Sequence, residues 1–309
     1  MAVEKDRWGI IYNPKAGTKK VQKRWLKIRE YLNERNVLFD YLQSESYQSV
    51  ERLSCMLANN GYRTIVIVGG DGALNDAING ILNSKAEHKS EIALGIIPNG
   101  IGNDYAAYWE IDFDDYKKAI DCIIERRLRK VDVGVCTYYD GKESVSRYFL
   151  NAVQIGLGAR MVNISNQAHR FWGVRWLSFW ISFFLLLFER TLYRVHLRIN
   201  DEHIRGNVMA ICIGSARGYG LTPNAVPYNG WLDVSVIYRP ELLQLISGMW
   251  MMLRGRILNY KMLKPYRTKR VLVLRAQNAQ VSLDGRILPQ KLPLKIGIRP
   301  EAIHFVIPN

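Results

Sequence analysis

The stretch Thr64-Ile-Val-Ile-Val-Gly-Gly-Asp-Gly-Ala-Leu-Asn-Asp-Ala-Ile-Asn-Gly80 constrains this chain more than any other. Thr64 to Val68 is a β-branched run, long enough for one fully buried strand and too short for a helix. Gly69, Gly70 and Gly72 then break the strand and let another molecule approach the backbone. Beyond them Leu74, Ala77, Ile78 and Ile81 recur at the spacing of an amphipathic helix. Strand, glycine turn and helix N-terminus together aim N–H groups and a positive dipole end at one point, which favours a phosphate. Asp71 inside that turn repels a bare anion. It fits a phosphate that arrives with Mg²⁺, or a carboxylate that meets a hydroxyl awaiting phosphorylation. Taken alone, the stretch is matched as well by a tight turn that binds nothing.

The surrounding chain continues the alternation. Trp8 to Tyr12 predicts a strand, Asn13 to Gly17 a turn, and Val21, Trp25, Ile28 and Leu32 the apolar face of a helix. Val37 to Leu42 predicts a second strand, and a helix capped at Ser46 follows, closed by Gly61. Ile92 to Ile97 gives a fourth strand ending in Pro98-Asn-Gly-Ile-Gly-Asn-Asp104, and Asp114 to Arg127 a further helix. Buried strands alternating with helices argue for a parallel sheet covered on both faces, whose ligands bind beyond the carboxyl ends of the strands. Three glycine- or asparagine-rich turns fall at such ends, at 13–17, 69–72 and 99–104, and can converge on one nucleotide-sized crevice.

After Lys130 the pattern changes to many short strand-like segments, among them Val131 to Cys136, Arg147 to Ile155, Tyr193 to Ile199, Leu232 to Ile237 and Leu294 to Ile298. Two helical stretches interrupt them, at about 168–190 and 240–263. This predicts an antiparallel sandwich or barrel. The expected domains are therefore 1–130, an α/β nucleotide-binding domain, and 131–309, a β-rich domain whose last strand can return to the first.

Charge is divided the same way. Residues 1–130 hold 20 Lys and Arg against 18 Asp and Glu, whereas residues 131–309 hold 23 against 10. A basic half implies an anionic partner surface, a nucleic acid or an anionic membrane leaflet, or else a merely solvated face. The run Trp176 to Phe188 is 13 residues between Arg175 and Glu189, short of the roughly 20 needed to cross a bilayer. It reads as a buried helix, or as an interfacial one. The charged opening Met1 to Arg7 shows no secretory pattern. Cys55, Cys122, Cys136 and Cys212 lack metal-ligand spacing and read as reduced core residues.

Seven segments, in order, resemble the diacylglycerol kinase catalytic-domain family of lipid kinases, which includes sphingosine and ceramide kinases and soluble bacterial members. They are Asn13 to Gly17, Gly69 to Asn75 with Asn79-Gly80, Gly95 to Ala106, Val131 to Gly134, Tyr148 to Ala152 with Ile155 to Ala159, Pro223 to Ala225 with Gly230 to Val234, and Leu283 to Gly285. The resemblance implies a nucleotide-binding α/β domain followed by a β-rich lipid domain. It implies ATP and Mg²⁺ as cofactors, with Asn13, Gly69, Gly70, Asp71, Gly72, Asn75, Gly100 and Asn103 around the nucleotide. Asp284 would be the general base, Asp71 a second catalytic residue, and Asn229 with Asp233 the place of a metal site.

Four positions depart from the family pattern. Ala73 and Ile101 each replace a Thr. Asn229 replaces a metal-binding Asp and so weakens or abolishes Mg²⁺ there. Arg286 replaces a Glu, setting a cation beside Asp284 that weakens it as a proton acceptor or helps neutralise phosphate.

The expected activity is transfer of the ATP γ-phosphate to a lipid hydroxyl, on diacylglycerol or a sphingoid or ceramide lipid. The expected setting is cytoplasmic, peripheral to an anionic membrane, with no nucleic-acid partner and with a homodimer allowed. The alternatives are a catalytically weak nucleotide or lipid sensor of the same fold, a nucleic-acid-binding protein, and a kinase of a soluble substrate.

Overall fold

The computed structural model describes residues 7–12, 19–45, 49–100, 103–161, 191–289 and 292–309. The chain divides into two compact units, Met1–Asp132 with Glu301–Asn309, and Val133–Pro300.

In the first unit β1 (Trp8–Tyr12), β2 (Phe39–Gln43), β3 (Thr64–Gly69) and β4 (Ala93–Pro98) run parallel in the order β2-β1-β3-β4. His304 and Phe305 of the C-terminal strand add in parallel beside Ala93 and Leu94. Every residue of β3 and β4 is buried, as a parallel sheet covered on both faces requires. Burial of each large side chain there, such as Ile67 or Ile96, contributes about 1.5–3 kcal/mol.

Helices α1 (Lys19–Glu34), α2 (Ser49–Asn59), α3 (Asp71–Leu82), α4 (Asp104–Tyr108) and α5 (Tyr116–Glu125) accompany this sheet. The helix expected over 114–127 is shorter at both ends. The Asp115 side chain caps it by accepting the Lys118 N–H at 2.9 Å, and Arg126 closes it in the left-handed conformation.

The second unit is antiparallel. Its strands are β5 (Leu128–Tyr139, which starts in the first unit), β6 (Ser144–Phe149), β7 (Ala152–Gly156), β8 (Tyr193–Ile199), β9 (Glu202–Gly214), β10 (Leu232–Tyr238), β11 (Leu263–Thr268), β12 (Arg270–Ala276), β13 (Val281–Leu283), β14 (Arg286–Leu288) and β15 (Leu294–Val306, which ends in the first unit). They pair in the order β14-β13-β7-β9-β8-β12-β15, with β10 between β9 and β11 and with β5 and β6 forming a hairpin. Val153, Val195, Leu197, Ile213, Val234 and Val273 belong to its core. A smaller cluster around Ile237, Ile257 and Tyr260 packs with methionines of α6 (Leu242–Leu253).

Two expectations need correction. Residues 147–155 are not one strand but two, split at Leu150-Asn151 because those amides turn toward another partner, described below. The helix expected over 240–263 ends at Leu253; Gly255 takes a φ of 66°, a short 3₁₀ turn follows at Ile257–Asn259, and the chain becomes β11, which pairs with β10. The helix expected over 168–190 lies outside the described residues, and so does the apolar run 176–188.

Gly80 fixes the spacing of α2 and α3. A Cβ there would sit 2.2 Å from the carbonyl oxygen of Glu51 and 3.0 Å from the amide nitrogen of Cys55, both backbone atoms of α2. Gly80→Ala therefore forces the helices apart, and the strain outweighs alanine's better helix propensity. Urea unfolding should show a loss of about 1–3 kcal/mol; an unchanged midpoint would mean the two helices are free to separate.

Candidate active site

The glycine turn after β3 leads into α3 through Gly70, whose extended backbone makes it the N-cap without a side chain to offer. Its carbonyl accepts the amides of Ala73 and Leu74, both at 3.0 Å. Asp71 stands in the first turn of α3 and is 6% exposed. Its carboxylate accepts the backbone N–H of Asp104 at 3.0 Å on Oδ2 and of Tyr105 at 3.1 Å on Oδ1. These are the first two amides of α4, so Asp71 caps that helix from a remote segment. Hydrogen bonds to a charged acceptor contribute about 1.5–3 kcal/mol each. Burial pushes the Asp71 carboxyl above the usual range, and the two amide donors oppose that shift.

The same region joins the second turn to the first. Asn99 donates its amide to the carbonyl of Gly69 at 2.8 Å. Asn103 closes a small ring, accepting the Gly100 amide on Oδ1 at 3.2 Å and donating Nδ2 to the Gly100 carbonyl at 3.1 Å. Gly69, Gly70, Asp71, Gly100 and Asn103 therefore belong to one hydrogen-bonded assembly at the carboxyl ends of β3 and β4. Asn75 sits one turn further along α3, buried, and receives the Asn79 side chain on its carbonyl at 2.8 Å. Gly72 precedes it in the same helix. Asn13 and Ile101 lie outside the described residues. Asn99 was missed as a site residue: it is 3% exposed, and its buried Oδ1 has no hydrogen-bond partner among the described residues. Its place inside the 99–104 turn was the available signal.

In the second unit Asp284 and Gly285 form the two-residue turn between β13 and β14, with φ of 43° and 83°. Positive φ at both positions suits an Asp-Gly hairpin. The side chain is buried at 2% exposure and reaches the gap between β6 and β7. Its Oδ2 accepts the Leu150 amide at 2.7 Å, and Oδ1 accepts those of Asn151 at 3.0 Å and Ala152 at 2.8 Å. The Asp284 amide in return donates to the Ala152 carbonyl at 3.1 Å.

Asn151, also absent from the expected site, extends this knot. Its carbonyl accepts the Ser215 and Ala216 amides, and its Oδ1 accepts that of Gly218 at 2.8 Å. Asn151 Nδ2 and Ser215 Oγ are buried without a hydrogen-bond partner among the described residues. Such atoms beside a fixed carboxylate suit the recognition of a polar group.

Asn229 and Asp233, expected at a metal site, are each engaged by a neighbour within the second unit. The Asn229 oxygen accepts the Trp231 amide at 2.9 Å. Asp233, in β10, lies opposite Arg267 of β11, with 3.5 Å between Oδ1 and Nε. Burial pushes the Asp233 carboxyl up and Arg267 opposes it. Among the described residues no three His, Cys, Asp or Glu side chains group as metal ligands. One carboxylate already facing a guanidinium and one engaged amide oxygen are a poor donor set for a hard cation. Asp233, Arg267 and Tyr266 instead line a cavity of about 320 Å³ in this unit, with Thr222 and Asn224.

Comparison with known proteins decides the family. A model of the diacylglycerol kinase catalytic domain matches residues 7–136, and one of the YegS C-terminal NAD kinase beta sandwich-like domain matches residues 151–307. The chain belongs to the diacylglycerol kinase catalytic-domain family. Its members are lipid kinases, phosphotransferases by reaction type. Similar proteins include one named diacylglycerol kinase from Staphylococcus saprophyticus subsp. saprophyticus, 25% identical over 306 residues and covering 97% of this chain and 95% of that protein. Another of the same name, from Bacillus subtilis (strain 168), is 23% identical and covers 97% of this chain and 96% of its own. The crystal structure of a diacylglycerol kinase from Bacillus anthracis str. Sterne shares the fold, with a TM-score of 0.68 at 17% identity over 98% of this chain and 97% of that one.

The raised Asp71 carboxyl carries a consequence for stability. Between the ordinary value of 3.8 and the higher native one, the folded state binds more proton than the unfolded state. The contribution of Asp71 to stability is thus present at low pH and falls as pH rises through that window. Asp71→Asn should remove the fall, so the stability difference between variant and wild type should shift in the variant's favour from pH 4 upward. Urea titrations at several pH values test this; parallel curves would show that the two amide donors cancel the burial.

Proposed function

We propose that this chain transfers the γ-phosphate of MgATP to a hydroxyl of a lipid, with diacylglycerol and sphingoid or ceramide lipids as the acceptor classes. The observation that carries the reading is the Asp284 carboxylate, buried and held by three backbone amides at the tip of a hairpin. A general base must be fixed within hydrogen-bond reach of the proton it takes, and such a carboxylate cannot swing away. Asp284 accepts the hydroxyl proton. The hydroxyl oxygen forms a bond to the γ-phosphorus, the bond to the β-phosphate oxygen breaks, and ADP leaves with that electron pair.

Gly69, Gly70, Gly72, Gly100 and Asn103 supply the phosphate cradle in this reading, with Asn75 one turn further along α3. Asp71 acts by positioning: it ties α4 and the 99–104 turn to the start of α3. Mg²⁺ enters as part of the nucleotide substrate. Asn229 and Asp233 shape the lipid-binding unit. The proposed setting is the cytoplasmic face of an anionic membrane, reached peripherally. No helix among the described residues is long and apolar enough to cross one.

A second reading, a nucleotide or lipid sensor of the same fold, draws on Arg286 two residues from the base and on the poor metal donor set at Asn229 and Asp233. Both are tested by incubation with labelled ATP, Mg²⁺ and mixed micelles of diacylglycerol, ceramide, sphingoid base and monoacylglycerol. One labelled lipid is expected, and Asp284→Asn should lower kcat by about 10²–10⁴ while MgATP binding persists. The substitution also sets an NH₂ against backbone amides, costing about 1–3 kcal/mol, so rates should be taken well below its melting temperature. Nucleotide binding with no labelled lipid would favour the sensor.

A further inference from the structure

Helix α6 has one face that folding explains and one that it does not. On the first, Leu245 is buried and Gly248 lies against Tyr260, where a Cβ would come 2.9 Å from the ring. Met251 and Met252 join the same small core. On the other, Leu243, Ile246 and Trp250 are 79%, 53% and 55% exposed. Their spacing of three and then four residues puts them in one stripe. Arg254 continues the stripe, its guanidinium 4.3 Å above the Trp250 ring. A single exposed apolar side chain is ordinary, but three in register form a patch.

The charge in the segments flanking this helix is nearly all of one sign. Arg239, Arg254, Arg256 and Lys261 are exposed around α6, and the only acid between 239 and 261 is Glu241. That carboxylate is engaged in the capping box at the helix start. Twelve residues make a helix of about 18 Å, too short to span the roughly 30 Å of a bilayer core. An apolar stripe with an interfacial Trp and flanking cations is the chemistry of a helix lying in the plane of a charged lipid surface.

We propose that α6 docks this chain on an anionic lipid bilayer, with Leu243, Ile246 and Trp250 entering the acyl boundary and Arg239, Arg254, Arg256 and Lys261 meeting head-group phosphates. The choice of a bilayer over a protein partner rests on the lipid-kinase reading, because an acceptor lipid resides there, and on the charge complementarity.

The test is sedimentation of the full chain with phosphatidylcholine vesicles, with and without phosphatidylglycerol. Replacing Leu243, Ile246 and Trp250 together by Ser should weaken binding to the anionic vesicles on the order of tenfold or more. Arg254→Glu with Arg256→Glu should weaken it to a similar extent, with the effect fading in high salt. Ser247→Leu, on the same exposed stripe, should strengthen it while the urea unfolding midpoint stays unchanged, which separates the gain from exposure of core surface.

Unchanged vesicle binding in the triple variant would overturn the proposal. So would a dimer in the wild type that the triple variant converts to monomer without loss of vesicle binding, which would assign the stripe to a second copy. Protection of Leu243→Cys from a thiol reagent in the absence of vesicles would assign it to cover by this chain itself. Turnover on a soluble short-chain diacylglycerol separates the two readings. If wild type phosphorylates no acceptor yet binds vesicles through the stripe, the docking stands and the kinase assignment alone falls.

Discussion

A carboxylate sealed from water must be met by donors, and here two of them are met by backbone amides from remote segments. Asp284 receives three amides from residues 132 to 134 positions away. Asp71 receives two from 33 and 34 positions away. In each case the acid sits just after a strand, at a tight turn or a helix start, and the amides it takes lie where another element begins or breaks. The local geometry of each unit's site therefore depends on a charge–backbone bond, which is directional in a way that apolar packing is not. A substitution at either residue removes both a chemical group and a tie between segments, so activity and stability have to be measured together to separate the two roles.

The contrast between the units also shows where charge can sit in each, although the basic excess of residues 131–309 comes from fewer acids, 10 against 18, rather than from more cations. Strands β3 and β4 are buried on both faces and leave no place for a cation. The antiparallel strands alternate. In β8, Tyr193, Val195, Leu197 and Ile199 are buried while Arg194 and Arg198 are exposed. An antiparallel sheet with a wetted face offers every second position to a charge without desolvating it. The basic excess of residues 131–309 is thus carried at little cost to the fold, and selection on a partner surface can act on it independently of the core.

The fold class was legible because its signals are local. Thr64 to Val68 became β3 and Trp8 to Tyr12 became β1, since a β-branched run bounded by glycine or asparagine has few other uses. The corrections came from distant partners. Arg147 to Ile155 has the composition of one strand, and it divides where its amides bond Asp284 and Asn151 bonds the segment after β9. Leu263 to Thr268 carries Lys, Pro and Arg and follows a helix, and pairing with β10 makes it a strand. Asn99 and Asn151 were passed over for the same reason: an asparagine's partners, or its lack of them, are settled by tertiary structure.

The Asp284-Gly285 pair shows why a bland reading and a functional one need not compete. An Asp-Gly dipeptide is a hairpin turn on local grounds, and it is one here. The same left-handed backbone directs the carboxylate back into the sheet, where β6 and β7 part to receive it. A flexible loop could present a carboxylate too, but it would lose orientation each time the loop moved. A two-residue turn between paired strands has almost no freedom to lose, so the conformation that makes the sequence an ordinary turn is also the one that holds the acid in place.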